Sequence, residues 1–132
     1  MIDIENEVFN MIAVELRNKY ENIFVSGDDT LIPSEFPCVY IVQRDNPLDM
    51  TSADSGSIER VAIPMFEVNV YSNLKVGRKA QAKEIMETVC DIMTNMDMER
   101  TYCQPTPNID TSIYRMVGRF TCKTDGKIIY RR

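Results

Sequence analysis

The sequence predicts an α+β domain: a largely antiparallel β-sheet with two α-helices packed on one face. Residues 4–20 and 78–96 carry apolar side chains at helical spacing. Between and after them lie short stretches of strand formers, and Asp125-Gly126 near the end is a hairpin signal. Helices separated by runs of strands indicate α+β rather than alternating α/β architecture. The 132 residues fit one domain, 1–132, with no internal repeat and no linker.

The first helix is read from Ile4, Val8, Met11, Ile12 and Leu16, with Asp3 as its expected N-cap and Glu5 and Glu7 near the positive end of its dipole. Ile23-Phe24-Val25 suggests a short strand, and Gly27-Asp28-Asp29 is turn chemistry. Cys38 to Gln43 is a strand, too short for a helix. Residues 45–58 have no periodicity and an acidic, turn-rich composition, which predicts a mobile loop that orders on assembly. A longer strand follows at 60–72. Phe66, Val68 and Val70 are on one side of it, with Glu67, Asn69 and Tyr71 on the other. Pro64 has no N–H for a ladder and marks an edge or a bulge.

The second helix shows the clearest pattern, through Ala82, Ile85, Met86, Val89, Ile92, Met93 and Met96. Strands are expected at about 99–104 and 112–123. Asp125-Gly126 would then turn the chain into a last strand at 127–131.

Histidine is absent, so histidine-based metal sites, Ser-His-Asp triads and Cys-His pairs are excluded. Cys38, Cys90, Cys103 and Cys122 show no CxxC spacing and read as small buried hydrophobes. Some metal nucleases place two acids and a lysine on a strand edge. Here Glu67-Val68-Asn69 has asparagine where that lysine would stand, so Glu67 reads as a solvated strand residue. No phosphate loop or dinucleotide fingerprint is present. The expectation is a protein that is not an enzyme and uses no cofactor or metal. No long apolar stretch and no basic leader suggest a membrane span or an export signal.

Charge is unevenly distributed. Residues 1–60 hold 12 acids and 4 bases, whereas residues 111–132 hold 1 acid and 6 bases. An acidic front and a basic tail can attract copies of one chain head to tail, or form two solvated faces. Arg115, Arg119 and Lys123 alternate with Tyr114, Met116, Phe120 and Cys122 on the C-terminal strand, giving a row of positive charge opposite a core face. Lys75, Arg78, Lys79 and Lys83 are at the positive end of the second helix dipole, an unfavourable arrangement that either drifted there or serves an acidic neighbour. A basic ribbon with aromatics also suits a small nucleic-acid-binding regulator, although the overall acidity (pI ≈ 4.8) opposes dedicated DNA binding.

The stretches Phe66-Glu67-Val68-Asn69-Val70-Tyr71-Ser72-Asn73, Gly77-Arg78-Lys79-Ala80-Gln81-Ala82-Lys83 and Cys103-Gln104-Pro105-Thr106-Pro107-Asn108-Ile109-Asp110-Thr111-Ser112-Ile113-Tyr114-Arg115-Met116 carry a resemblance. They resemble small head–tail joining proteins of long-tailed bacteriophages and prophages, most closely the tail terminator (tail completion) class. The likeness covers roughly residues 60–132; residues 1–59 match in element order alone. It implies a virion structural protein of the phage neck, assembled in the bacterial cytoplasm. Such proteins form a homo-hexameric ring that caps the tail tube, ends its polymerisation and docks on the head connector or stopper protein. DNA passes through the bore without specific binding. No catalytic residues carry over. On this reading Arg115, Arg119, Lys123, Arg78 and Lys79 face acidic partners, and Asp45, Asp49 and Asp54 line the bore or meet the tube, since an acidic lining lets DNA slide. Another neck component, a head-completion or stopper protein, is the alternative within the same resemblance.

Overall fold

Apolar periodicity and burial coincide in the helices. The computed structural model describes residues 1–28, 33–50 and 61–131. Helix α1 spans Glu5–Lys19 and buries Val8, Ile12, Ala13 and Leu16. Glu5 and Glu7 occupy its first turn and Arg17 and Lys19 its last, so both ends complement the dipole. The N-cap position belongs to Ile4 rather than Asp3. Ile4 is drawn into the core, which shifts Asp3 one residue outward, yet its carboxylate still accepts the Glu5 N–H at 3.0 Å. Helix α2 spans Arg78–Asn95 and buries Ala82, Ile85, Met86, Val89, Ile92 and Met93.

The strands are β1 (Phe24–Ser26), β2 (Cys38–Asp45), β3 (Met65–Ser72), β4 (Glu99–Pro105) and β5 (Tyr114–Thr121). They form one sheet in the order β1-β2-β3-β5-β4. The β1–β2 pair is parallel and the other three pairs are antiparallel. Alternation divides the sheet into two faces. Val39, Ile41, Phe66, Val68, Val70 and Phe120 pack with the buried stripes of both helices into the main core. Among the described residues, no helix packs on the opposite face. One end of that face holds a second cluster of Cys38, Tyr40, Tyr71 and Ile113, with Phe24 and Phe36 against it.

Three expectations change. First, β3 begins at Met65, not near residue 60; residue 60 lies outside the described residues. Pro64 interrupts the ladder, but the chain before it stays paired: Ala62 bridges Leu48 on one side and Thr124 on the other. Second, the final strand at 127–131 reduces to a single bridge, Thr124 to Ile129. The turn chemistry captures the groups a ladder would need. The Asp125 carboxylate accepts the N–H groups of Lys127 and Ile128, and the Thr124 hydroxyl donates to the Ile128 carbonyl. Third, the start of the acidic loop is fixed to the sheet. The Asp49 N–H donates to the Val61 carbonyl and the Ile63 N–H to the Pro47 carbonyl. The rest of that loop, residues 51–58 with Asp54, lies outside the described residues, as does Asp29.

Candidate functional site

The helix-free face of the sheet gathers the charged residues, and its geometry follows from register. Glu67, central on β3, lies opposite Arg119 of β5, which lies opposite Tyr102 of β4. The expected solvated glutamate is instead 7% exposed. Arg44 Nη2 donates to its Oε1 at 3.2 Å and Arg119 Nε to its Oε2 at 3.1 Å. A central strand has neighbours on both sides, so a side chain here is enclosed even where no helix covers it. Burial by itself pushes the Glu67 carboxyl up, but the hydrogen bonds from Asn69, Arg44 and Arg119 outweigh it and hold the group below the usual carboxylate range.

Asn69, 1% exposed, connects this cluster to the next arginine. Its Nδ2 donates to Glu67 Oε1 at 3.1 Å, and its Oδ1 accepts from Arg115 Nε and Nη2 at 3.0 and 2.8 Å. One amide thereby orients an acid and a base. Aromatic rings hold the guanidinium planes: Arg115 lies 5.7 Å from the Tyr71 ring centre and Arg119 4.8 Å from that of Tyr102. Tyr71 in turn meets Tyr40 edge to face, 5.5 Å between centres. Further along, Lys123 Nζ pairs with Asp49 Oδ2 at 3.5 Å.

Of the residues singled out from sequence, Arg115, Arg119, Lys123 and Asp49 come together in this way. Arg115 and Arg119 do lie on the face opposite Met116 and Phe120, but as members of a network rather than a bare row of charge. Asp49, expected in a solvated acidic loop, is buried beneath Lys123. Asp45 is exposed at the end of β2, where its carboxylate accepts the Asn46 N–H. Arg78 and Lys79 belong to the first turn of α2, after Gly77, whose φ of 86° suits glycine. Arg78 turns back to donate to the Leu74 and Lys75 carbonyls, and Lys79 is exposed. Arg44, Asn69 and Tyr102 were not singled out. The readable signal for them was alternation: an acid on one strand and arginines on the same face of its neighbours form cross-strand pairs.

This arrangement does not suit proton transfer near neutral pH. Glu67 is kept ionised and both of its oxygens already accept hydrogen bonds. Among the described residues, no group of three or more Cys, Asp or Glu side chains is placed to hold a metal ion. What the face offers is a stiff surface with outward guanidinium donors. Arg119 uses only Nε within the network, and Arg115 keeps Nη1. Among the described residues, no helix is long and apolar enough to cross a membrane. No family model matches the chain, and a search of curated proteins finds no match.

Proposed function

We propose that the chain is a structural subunit of the phage neck, a tail terminator that forms a ring on the tail tube, ends its growth and joins it to the head connector. The observation that carries this reading is the helix-free sheet face, with its arginines held in place by Glu67 and Asn69. Pre-organised charge on a rigid element favours docking to an acidic protein surface, because little side-chain freedom is lost on contact. The resemblance of residues 66–83 and 103–116 supplies the biological setting. It falls on β3, the first turns of α2, the end of β4 and the start of β5, and the three strands among these build the face. The proposed partners are further copies of the chain, the tail tube protein and the connector or stopper protein, with DNA passing through the ring.

The test combines sedimentation of the purified chain with electron microscopy of tubes assembled from the tail tube protein of the same phage. A ring of about six copies, or a monomer that caps tubes and fixes their length, supports the proposal. Tubes that keep growing while the chain binds the connector would move it to the stopper class. A dimer with sequence-specific DNA affinity would replace the proposal with a nucleic-acid-binding regulator.

A further inference from the structure

The helix-covered side of the sheet holds two of the four cysteines at one spot. Cys90 of α2 and Cys103 of β4 are both half-buried and line one cavity of about 220 Å³ with Met86, Met116, Lys83, Glu87 and Arg100. Their approach has a local cause. Cys103 lies directly opposite Gly118 of β5. A Cβ on Gly118 would fall 3.0 Å from Met86 Sδ, so the missing side chain lets α2 lie close to this part of the sheet. Met86 and Cys90 are one helical turn apart on the same face of α2, and the close approach carries Cys90 to Cys103. Both side chains face the same cavity and pack against the main core. Arg100 Nη1 points at Cys90 Sγ from 3.5 Å.

We propose that Cys90 and Cys103 are a reversible dithiol–disulfide couple, a redox-modification site that ties α2 to the edge strand β4, with Cys90 as the attacking sulfur. Cys90 is the sulfur that the Arg100 guanidinium faces, so positive charge lies beside the sulfur where the exchange step begins. Burial foremost, then the neighbouring Cys90 sulfur, pushes the Cys103 thiol up, so Cys103 suits the second, resolving step. The oxidant is a low-molecular-mass disulfide such as oxidised glutathione. Cys90 loses its proton and its thiolate attacks one oxidant sulfur, breaking that S–S bond and releasing one thiolate, which takes the proton. Cys103 then loses its proton and attacks the Cys90 sulfur, expelling the second glutathione as thiolate, which is protonated in turn. Two electrons and two protons pass from the protein to the oxidant. The other cysteines provide an internal contrast. Cys38 and Cys122 are buried, and burial pushes both thiols to about 11, so they stay reduced.

The test treats the full chain with oxidised glutathione, alkylates remaining thiols under denaturing conditions and maps the peptides by mass spectrometry. The expected product has lost two hydrogens, contains a linked Cys90–Cys103 peptide and retains two alkylated cysteines, Cys38 and Cys122. Cys103→Ser should trap a stable glutathione adduct on Cys90, and Arg100→Gln should form the link several-fold more slowly while melting like the parent. Four alkylated cysteines, or separate adducts on Cys90 and Cys103 without a linked peptide, would overturn the proposal. Linkage at unchanged rate in Arg100→Gln would remove Arg100 from it.

Discussion

Glu67 shows how far a single side chain can depart from its local pattern. Alternation placed it opposite Phe66 and Val68, and a residue on the uncovered side of a sheet ordinarily meets water. Sequence does not give cross-strand register, and register brings Arg44 and Arg119 onto the two oxygens. The network was therefore illegible, while its components, an acid between two strands with arginines in matching alternation, were on view. The sign of the pH effect follows from the lowered carboxyl. Unfolded glutamate titrates near ~4.3, so the stability that these bonds contribute is fully present above that value. It is lost as pH falls through the lower folded value. Glu67→Gln keeps the shape but removes the charge, and should lower stability at neutral pH by ~1–3 kcal/mol. The variant should also lose part of the parent's decline in acid, so the two converge as pH falls through the lowered folded value. Urea melts across that range check both statements, and a constant gap at every pH would show that Glu67 is not held ionised by its neighbours.

At the scale of elements, the sequence was most informative where burial is one-sided. The stripes of α1 and α2 were visible because one face of each meets the core and the other meets water. Sheet order was not visible, since β5 inserts between β3 and β4 through contacts remote in the chain. The last strand was misread because Asp125 and Thr124 satisfy the backbone locally, and a Asp-Gly pair fits a closed loop as well as a hairpin. Two termini of this packing are open to test. Asp97 ends α2 with φ at 62°, in the left-handed region, and the next N–H, of Met98, returns to the Met93 carbonyl. A carboxylate at the negative end of a helix dipole adds an electrostatic cost to that strain. Asp97→Gly relieves both and should stabilise the fold by ~0.5–1 kcal/mol in a denaturant melt. Gly118→Ala tests the opposite case. Its methyl would meet Met86 Sδ and Phe120 Cε2, both at 3.0 Å, and the ring has less freedom to yield than the thioether. A loss of ~1–3 kcal/mol is expected, measured in the same melt.

Across the whole molecule, folding consumes part of the charge asymmetry that the linear sequence displays. In the linear sequence the basic tail is apart from the acidic front, yet Lys123 closes on Asp49 and Arg119 on Glu67 within one chain. Charge reversal at Arg119 would bring a second carboxylate to the Glu67 pair, so any failure to assemble would be confounded with loss of stability. Lys127 and Arg131 separate the two effects. Both are exposed and form no ion pair among the described residues. Replacing each with glutamate should change stability by only about 0.5 kcal/mol or less, as expected for surface positions without a structural partner. If opposite charge draws copies of the chain together, the same replacements should weaken self-association. Added salt should weaken it in the parent as well, because exposed charges are screened within ~8 Å at physiological ionic strength. Sedimentation velocity at low and physiological salt, beside a thermal melt, reads both quantities. The expected result is an unchanged melt with a shift toward smaller species. Equal sedimentation of parent and Lys127→Glu/Arg131→Glu at both salt concentrations would show that the residual basic tail is solvated, leaving the pinned arginines of the sheet face to make any contact between copies.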